Sequence, residues 1–210
     1  MKNFITFLFT GILFIGAQGQ TVSTDLIPND SNIKIGILSN GLTYYIKNNS
    51  LPADKLELRL VVKVGSIVED DDQQGLAHFM EHMCFNGTKN FEKNELINYL
   101  ESIGVKFGAH LNAYTSFDET VYKLSIPTDK KAEVEKGFQI LEDWAFNVLL
   151  SDEEIEKERG VVLEEYRSRL GAGNRLMEKY LPKYLYKSHY TERLPIGKKE
   201  IIENFEPEVL

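Results

Sequence analysis

The stretch Leu76-Ala77-His78-Phe79-Met80-Glu81-His82-Met83-Cys84-Phe85 contains neither proline nor glycine and is bracketed by Gly75 and by Asn86-Gly87-Thr88. That bracketing predicts a helix. Residues four apart on a helix share a face, so His78 and His82 can offer two imidazoles to one metal ion. Glu81 stands beside them on the same turn. The alternative is a pair of ordinary surface or core histidines. It fits poorly, because the chain has four His in all and two of them fall at ligand spacing with a Glu between. Cys84, the only cysteine, reads as a packed core residue and has no partner for an internal disulfide.

Upstream of the helix, Ile33 to Leu38, then Ser39-Asn40-Gly41, then Leu42 to Ile46 read as strand, Asn-Gly turn, strand. A third strand is expected from Leu56 to Val64, alternating at first and then apolar, so that one face is buried. Downstream, Asn94 to Ile103 forms a second helix closed by Gly104. Strands resume at Val105 to Phe107, at Leu111 to Thr115 and at Thr120 to Ile126, where Pro127 stops the ladder. Two long helices follow, Lys131 to Leu149 and Asp152 to Leu170, the second opening on Ser151 with Glu154 three residues on, a capping-box spacing. Past Gly171 the chain is mixed, rich in Tyr, Pro and basic residues, with one more short helical stretch. The expected fold class is α+β, an antiparallel sheet packed against helices in one unit.

A catalytic zinc takes a third protein ligand and keeps one position for water, whose pKa falls to about 7. Glu81 can remove that water's proton without being a ligand. The order H-x-x-E-H is the inverzincin pattern of zinc peptidases. For the third ligand, the helix from Asp152 offers six glutamates that do not share a face at ~100° per residue. Glu158 and Glu165 nearly superpose, Glu154 sits roughly 40° off their stripe, and Glu164 points away. Glu154 reads as a capping or solvated residue. Periodicity alone leaves Glu158 and Glu165 open between a solvated face and a site.

At this point GLAHFMEHMCFNGTKNF, LNAYTSFDETVY and ERGVVLEEYR resemble the pitrilysin and insulinase family of zinc metallopeptidases, especially its exported bacterial members and its mitochondrial processing peptidase branch. The likeness runs from about Ile35 to the C-terminus. It implies the family's alpha-beta roll, one zinc ion per chain held by His78, His82 and Glu165, and Glu81 as general base acting on the metal's water. Glu158, first of the E-x6-E element, would support the site from behind. Asn112 and Ala113 would bind substrate as an edge strand pairs with an extended peptide, and Phe117 would line the same groove. His110 and His189 read as ordinary strand or loop residues. The resemblance also implies an endopeptidase for extended or unfolded polypeptides and a second homologous half or subunit, since nothing here matches that half. Residues 20–210 then form a catalytic domain incomplete at its C-terminus. A different class remains beside it: a non-catalytic peptide-binding or assembly subunit of a two-part peptidase.

The remaining sequence sets the compartment. Lys2 precedes an apolar run from Phe4 to Gly16, and Ala17-x-Gly19 follows, so residues 1–19 read as a signal peptide and the chain as exported, to a bacterial periplasm. Arg is absent from this leader, which argues against a mitochondrial matrix role. The formal net charge of -8 excludes the basic footprint of nucleic-acid binding. Beyond the leader no segment approaches the ~20 apolar residues of a membrane span.

Overall fold

The computed structural model describes residues 28–210; the expected signal peptide lies outside them. The chain divides into two compact units, one ending at Asn49 and one beginning at Ser50. In the first, β1 (Ile33–Ile37) and β2 (Thr43–Lys47) form an antiparallel hairpin, with Ile37 opposite Thr43. The Asn-Gly turn works through both of its residues. Asn40 Oδ1 accepts from the Leu42 N–H at 3.1 Å, and Gly41 takes the left-handed φ of 89° that a Cβ would disfavour. This hairpin is a two-stranded sheet of its own.

The second unit carries a three-stranded antiparallel sheet in the order β3 (Lys55–Val62), β5 (Thr120–Pro127), β4 (Leu111–Thr115). Around it run α1 (Leu76–Asn86), α2 (Glu95–Ser102), α3 (Lys131–Phe146), α4 (Asp152–Ser168), α5 (Ala172–Tyr184) and α6 (Lys199–Asn204). Strand register explains where the helices lie. Leu58 faces Leu124, Leu56 faces Ile126, Leu60 faces Tyr122, and Leu111 also faces Leu124. Side chains alternate along a strand, so these residues share one face of the sheet. They form the first core with Cys84, Leu96, Leu100, Ile140 and Trp144 from α1, α2 and α3. The opposite face carries Glu57, Arg59, Asn112, Tyr114 and Lys123.

A second core joins the far side of α1 to α4 and α6 through Leu76, Phe79, Met83, Ile155, Val162, Ile202 and Phe205. α1 is thus apolar on two sides, which is why its sequence shows little amphipathic contrast. Arg159 of α4 donates to the carbonyls of Ile202 and Phe205 and lies 4.2 Å over the Phe205 ring. These contacts bring α4 beside α1.

Three expectations need correction. Val105 to Phe107 is not a strand: Gly104 and Gly108 both take left-handed φ, and Phe107 makes only an isolated bridge to Leu111. Past Gly171 the chain forms the 13-residue α5, which spans Pro182 and buries none of its residues. The capping box is half formed: Ser151 Oγ accepts from the Glu154 N–H, while the Glu154 carboxylate accepts from Lys157 Nζ.

Candidate metal centre

The start of α1 is fixed from a distance. Its N-cap residue, Gly75, has no side chain, and the Glu69 carboxylate substitutes by accepting from the Gly75 and Ala77 N–H groups at 3.1 and 2.9 Å. Burial pushes the Glu69 pKa up, against the pull of these hydrogen bonds. Arg193, itself buried, donates from Nε to the Glu69 carbonyl and from an Nη to Asp71 at 2.6 Å. Beyond it, Gly197 crosses Gly75 so closely that a Cβ on Gly197 would lie 2.3 Å from the Gly75 Cα.

One turn into α1, His78 and His82 stand with ring centroids 4.7 Å apart and planes at 79°. Glu165 of α4 points between them. Its Oε2 is 3.6 Å from His78 Nε2 and 3.2 Å from His82 Nε2, and the three potential ligand atoms lie within 4.8 Å of one another. Donors on a tetrahedral zinc with bonds near 2.05 Å stand roughly 3.3 Å apart, which both His–Glu separations approach. Glu165 Oε1 is held by Arg169. Glu158 is buried behind the pair, its Oε1 2.7 Å from His82 Nδ1 and its Oε2 accepting from Asn86 Nδ2 at 2.6 Å.

These contacts set the electrostatics. Burial, with His82 adjacent, lowers the His78 pKa to about 4, so this imidazole is neutral. For His82 burial pulls down, but hydrogen bonds to Glu158 and Glu165 outweigh it and raise the pKa to about 9. The His82 hydrogen bond brings Glu165 down to about 2. His78 Nδ1 is buried without a hydrogen-bond partner among the described residues. A metal ligand must be deprotonated, so a cation entering here displaces the proton shared by His82 and Glu165.

Glu81 is buried on the same turn, and desolvation pushes its pKa up while a hydrogen bond from Thr115 Oγ1 (2.6 Å) opposes the shift. Thr115 ends β4, an edge strand of the three-stranded sheet. Ser125 N–H donates to His110 O, and Ser116 N–H to Glu119 O, so even-numbered residues of this stretch turn their backbone groups toward β5. Ala113 and Thr115 therefore turn theirs to the open edge. Asn112 covers part of that edge with its own side chain, Oδ1 accepting from the Ala113 N–H at 2.9 Å.

His78, His82, Glu81, Glu158 and Glu165 are thus gathered in one place, with Asn112 and Ala113 on the neighbouring edge. Phe117 instead packs its ring on Tyr190, 5.1 Å away, and Glu154 stays with Lys157. His110 pairs with Lys55 and the Lys106 N–H, outside the cluster. Cys84 is a buried thiol pushed up to about 12 by desolvation. Four contributors escaped sequence reasoning. Asn86 repeats the four-residue step from His82 and was legible in principle; Thr115, Arg193 and Glu69 act across folds of the chain that leave no local pattern.

The sequence profile described as Insulinase (Peptidase family M16) matches residues 44–196. The chain belongs to the insulinase family of peptidases. Among relatives, it is 41% identical over 177 residues to the "Probable zinc protease PqqL" of Haemophilus influenzae, covering 84% of this chain and 19% of that protein. The Escherichia coli protein of the same name is 37% identical over 207 residues, 99% of this chain and 22% of the relative. Among solved structures, the first half of the periplasmic protease PqqL from Escherichia coli matches with a TM-score of 0.83 and 38% identity, over 87% of this chain and 39% of that one. The chain therefore spans about a fifth of the length of these curated insulinase-family relatives. Among the described residues no helix is long and apolar enough to cross a membrane.

Proposed function

We propose that this insulinase-family chain carries the catalytic zinc site of an endopeptidase, with one zinc ion held by His78, His82 and Glu165. The observation that carries the reading is the convergence of those three donors beside a buried carboxylate, Glu81, that is not one of them. Zinc bound there would polarise the scissile carbonyl and acidify the attacking water. Glu81 takes the water's proton and delivers it to the leaving amine. Glu158 holds His82 by its Nδ1, which fixes the ring and leaves Nε2 for the metal. An extended or unfolded polypeptide adds as a strand to the open edge of β4, pairing with Ala113 once the Asn112 amide swings aside.

Three further proposals complete this reading. Residues 1–19 are a signal peptide and residues 20–210 a catalytic domain. The protein works in a periplasm, as the Escherichia coli relative's description as a periplasmic protease supports. A second homologous half or subunit completes the active chamber, which the much greater length of the relatives supports.

The test uses protein purified from its own cells in the assembly it forms there. Wild type should contain about one zinc per chain and cleave an unfolded casein. Glu81→Gln should retain the zinc and lose the cleavage. Wild type without zinc, or a mutant that cleaves as well as wild type, would overturn the proposal, the second outcome in favour of a non-catalytic binding subunit.

A further inference from the structure

We infer that Thr115 is a positioning residue that aims Glu81 and ties it to the strand on which the peptide is bound. The inference rests on the peptidase reading above. Glu81 Oε2 is fixed by the Thr115 hydroxyl at 2.6 Å; Oε1 has no hydrogen-bond partner among the described residues. One carboxylate oxygen is thus anchored and the other is left to receive a proton.

The direction of the anchoring bond follows from the neighbouring hydroxyl. Thr120 Oγ1 lies 2.9 Å from the Val64 carbonyl and 3.4 Å from Thr115 Oγ1. Each hydroxyl has one proton, and the shorter contact with Val64 takes that of Thr120. The Thr115 proton goes to the Glu81 carboxylate, its closer acceptor at 2.6 Å. As a β-branched residue Thr115 has few χ1 states, and its place opposite Thr120 on the helix-facing side of the sheet limits them further.

The same residue belongs to the peptide-binding edge. Its N–H and C=O share the outward parity of Ala113, so a peptide that pairs with Ala113 and continues along β4 next meets the Thr115 backbone. Strand addition fixes that backbone, and the side chain on it fixes the base. Peptide docking and base alignment are two consequences of one residue's position.

Thr115→Val removes the hydroxyl and keeps the branched shape. In the native assembly, with a fluorogenic peptide as probe, kcat should fall about 10- to 100-fold, the scale on which displacement of a catalytic group acts. KM and zinc affinity should stay within about twofold, and Thr115→Ser should restore most of kcat. In zinc-free protein, the carboxyl carbon NMR signal that disappears in Glu81→Gln should move in Thr115→Val and return in Thr115→Ser. Wild-type kcat in Thr115→Val, an unmoved carboxyl signal, or a Ser variant as poor as Val would overturn the role of Thr115 alone. A wild-type protein that binds no zinc and cleaves no peptide would instead overturn the peptidase reading.

Discussion

Replacing Glu158 with Gln keeps the side chain's size and removes its charge at a place where both oxygens are used. Oε1 meets His82 Nδ1 at 2.7 Å and Oε2 meets Asn86 Nδ2 at 2.6 Å. An amide has one oxygen, so one donor is left facing an NH2 group. Asn86 can turn its own amide to present Oδ1, which moves the loss onto His82: its Nδ1–H then donates to a neutral oxygen. Partners behind a ligating histidine are worth 10- to 100-fold in metal affinity, about 1.4 to 2.8 kcal/mol. The Glu158 side chain is 11% exposed, so solvent screens little of this, and the upper part of the range, about 30- to 100-fold, is expected. Competition against a chelator of known zinc affinity at fixed pH measures it. Glu154→Gln on the same helix is the control, since that carboxylate serves Lys157, and its affinity should stay within about twofold. A Glu158→Gln protein that binds zinc as tightly as wild type would refute the argument that α4 serves the cluster twice, once through Glu165 and once through Glu158.

Four other outcomes follow from packing and burial. Phe79→Ala empties a fully buried site that meets Phe205 edge-on at 4.9 Å, and urea unfolding should show a loss of about 3 to 5 kcal/mol; a loss under about 1 would contradict the second core. Gly197→Ala combines a φ of 73° with backbone on the far side of the new Cβ, so it should cost about 2 kcal/mol or more. Gly160→Ala, in α4 with open space around it, should gain about 0.5 to 1 kcal/mol by the same assay. Cys84, buried and raised to about 12, should resist iodoacetamide in the folded protein at pH 8 and react on unfolding; rapid modification of the native state would refute its burial.

The parts legible in the sequence are those carried by local periodicity. The four-residue step from His78 to His82 and the seven-residue step from Glu158 to Glu165 each place side chains on one helical face. The Asn40-Gly41 turn sets the hairpin register in the same way. What stayed hidden depends on contacts between distant segments. Ser66 Oγ donates to the Arg193 carbonyl across 127 residues, and Thr115 reaches Glu81 across 34. No spacing rule connects those positions. α5 escaped for a different reason: Leu176, Met177, Tyr180 and Tyr184 recur at helical spacing, but Gly173 and Pro182 interrupt the segment and weaken its signal. At Val105 to Phe107 the alternating Val-Lys-Phe fits a strand as well as a turn, and the left-handed Gly108 decides it.

The edge of β4 also bears on self-association. An unpaired strand edge is a template for any extended chain, including another copy of the same protein, and a strand that accepts peptides cannot be closed permanently. Here most of the edge is already spoken for. Leu111 donates to the Lys106 carbonyl and accepts from Gly108 N–H, and the Ala113 N–H is occupied by the Asn112 side chain. What remains on the outward row of β4 is the Ala113 carbonyl and the backbone groups of Thr115. Two residues of ladder are too few to nucleate sheet growth between molecules, yet they lie directly beside Glu81, where a peptide needs to be held.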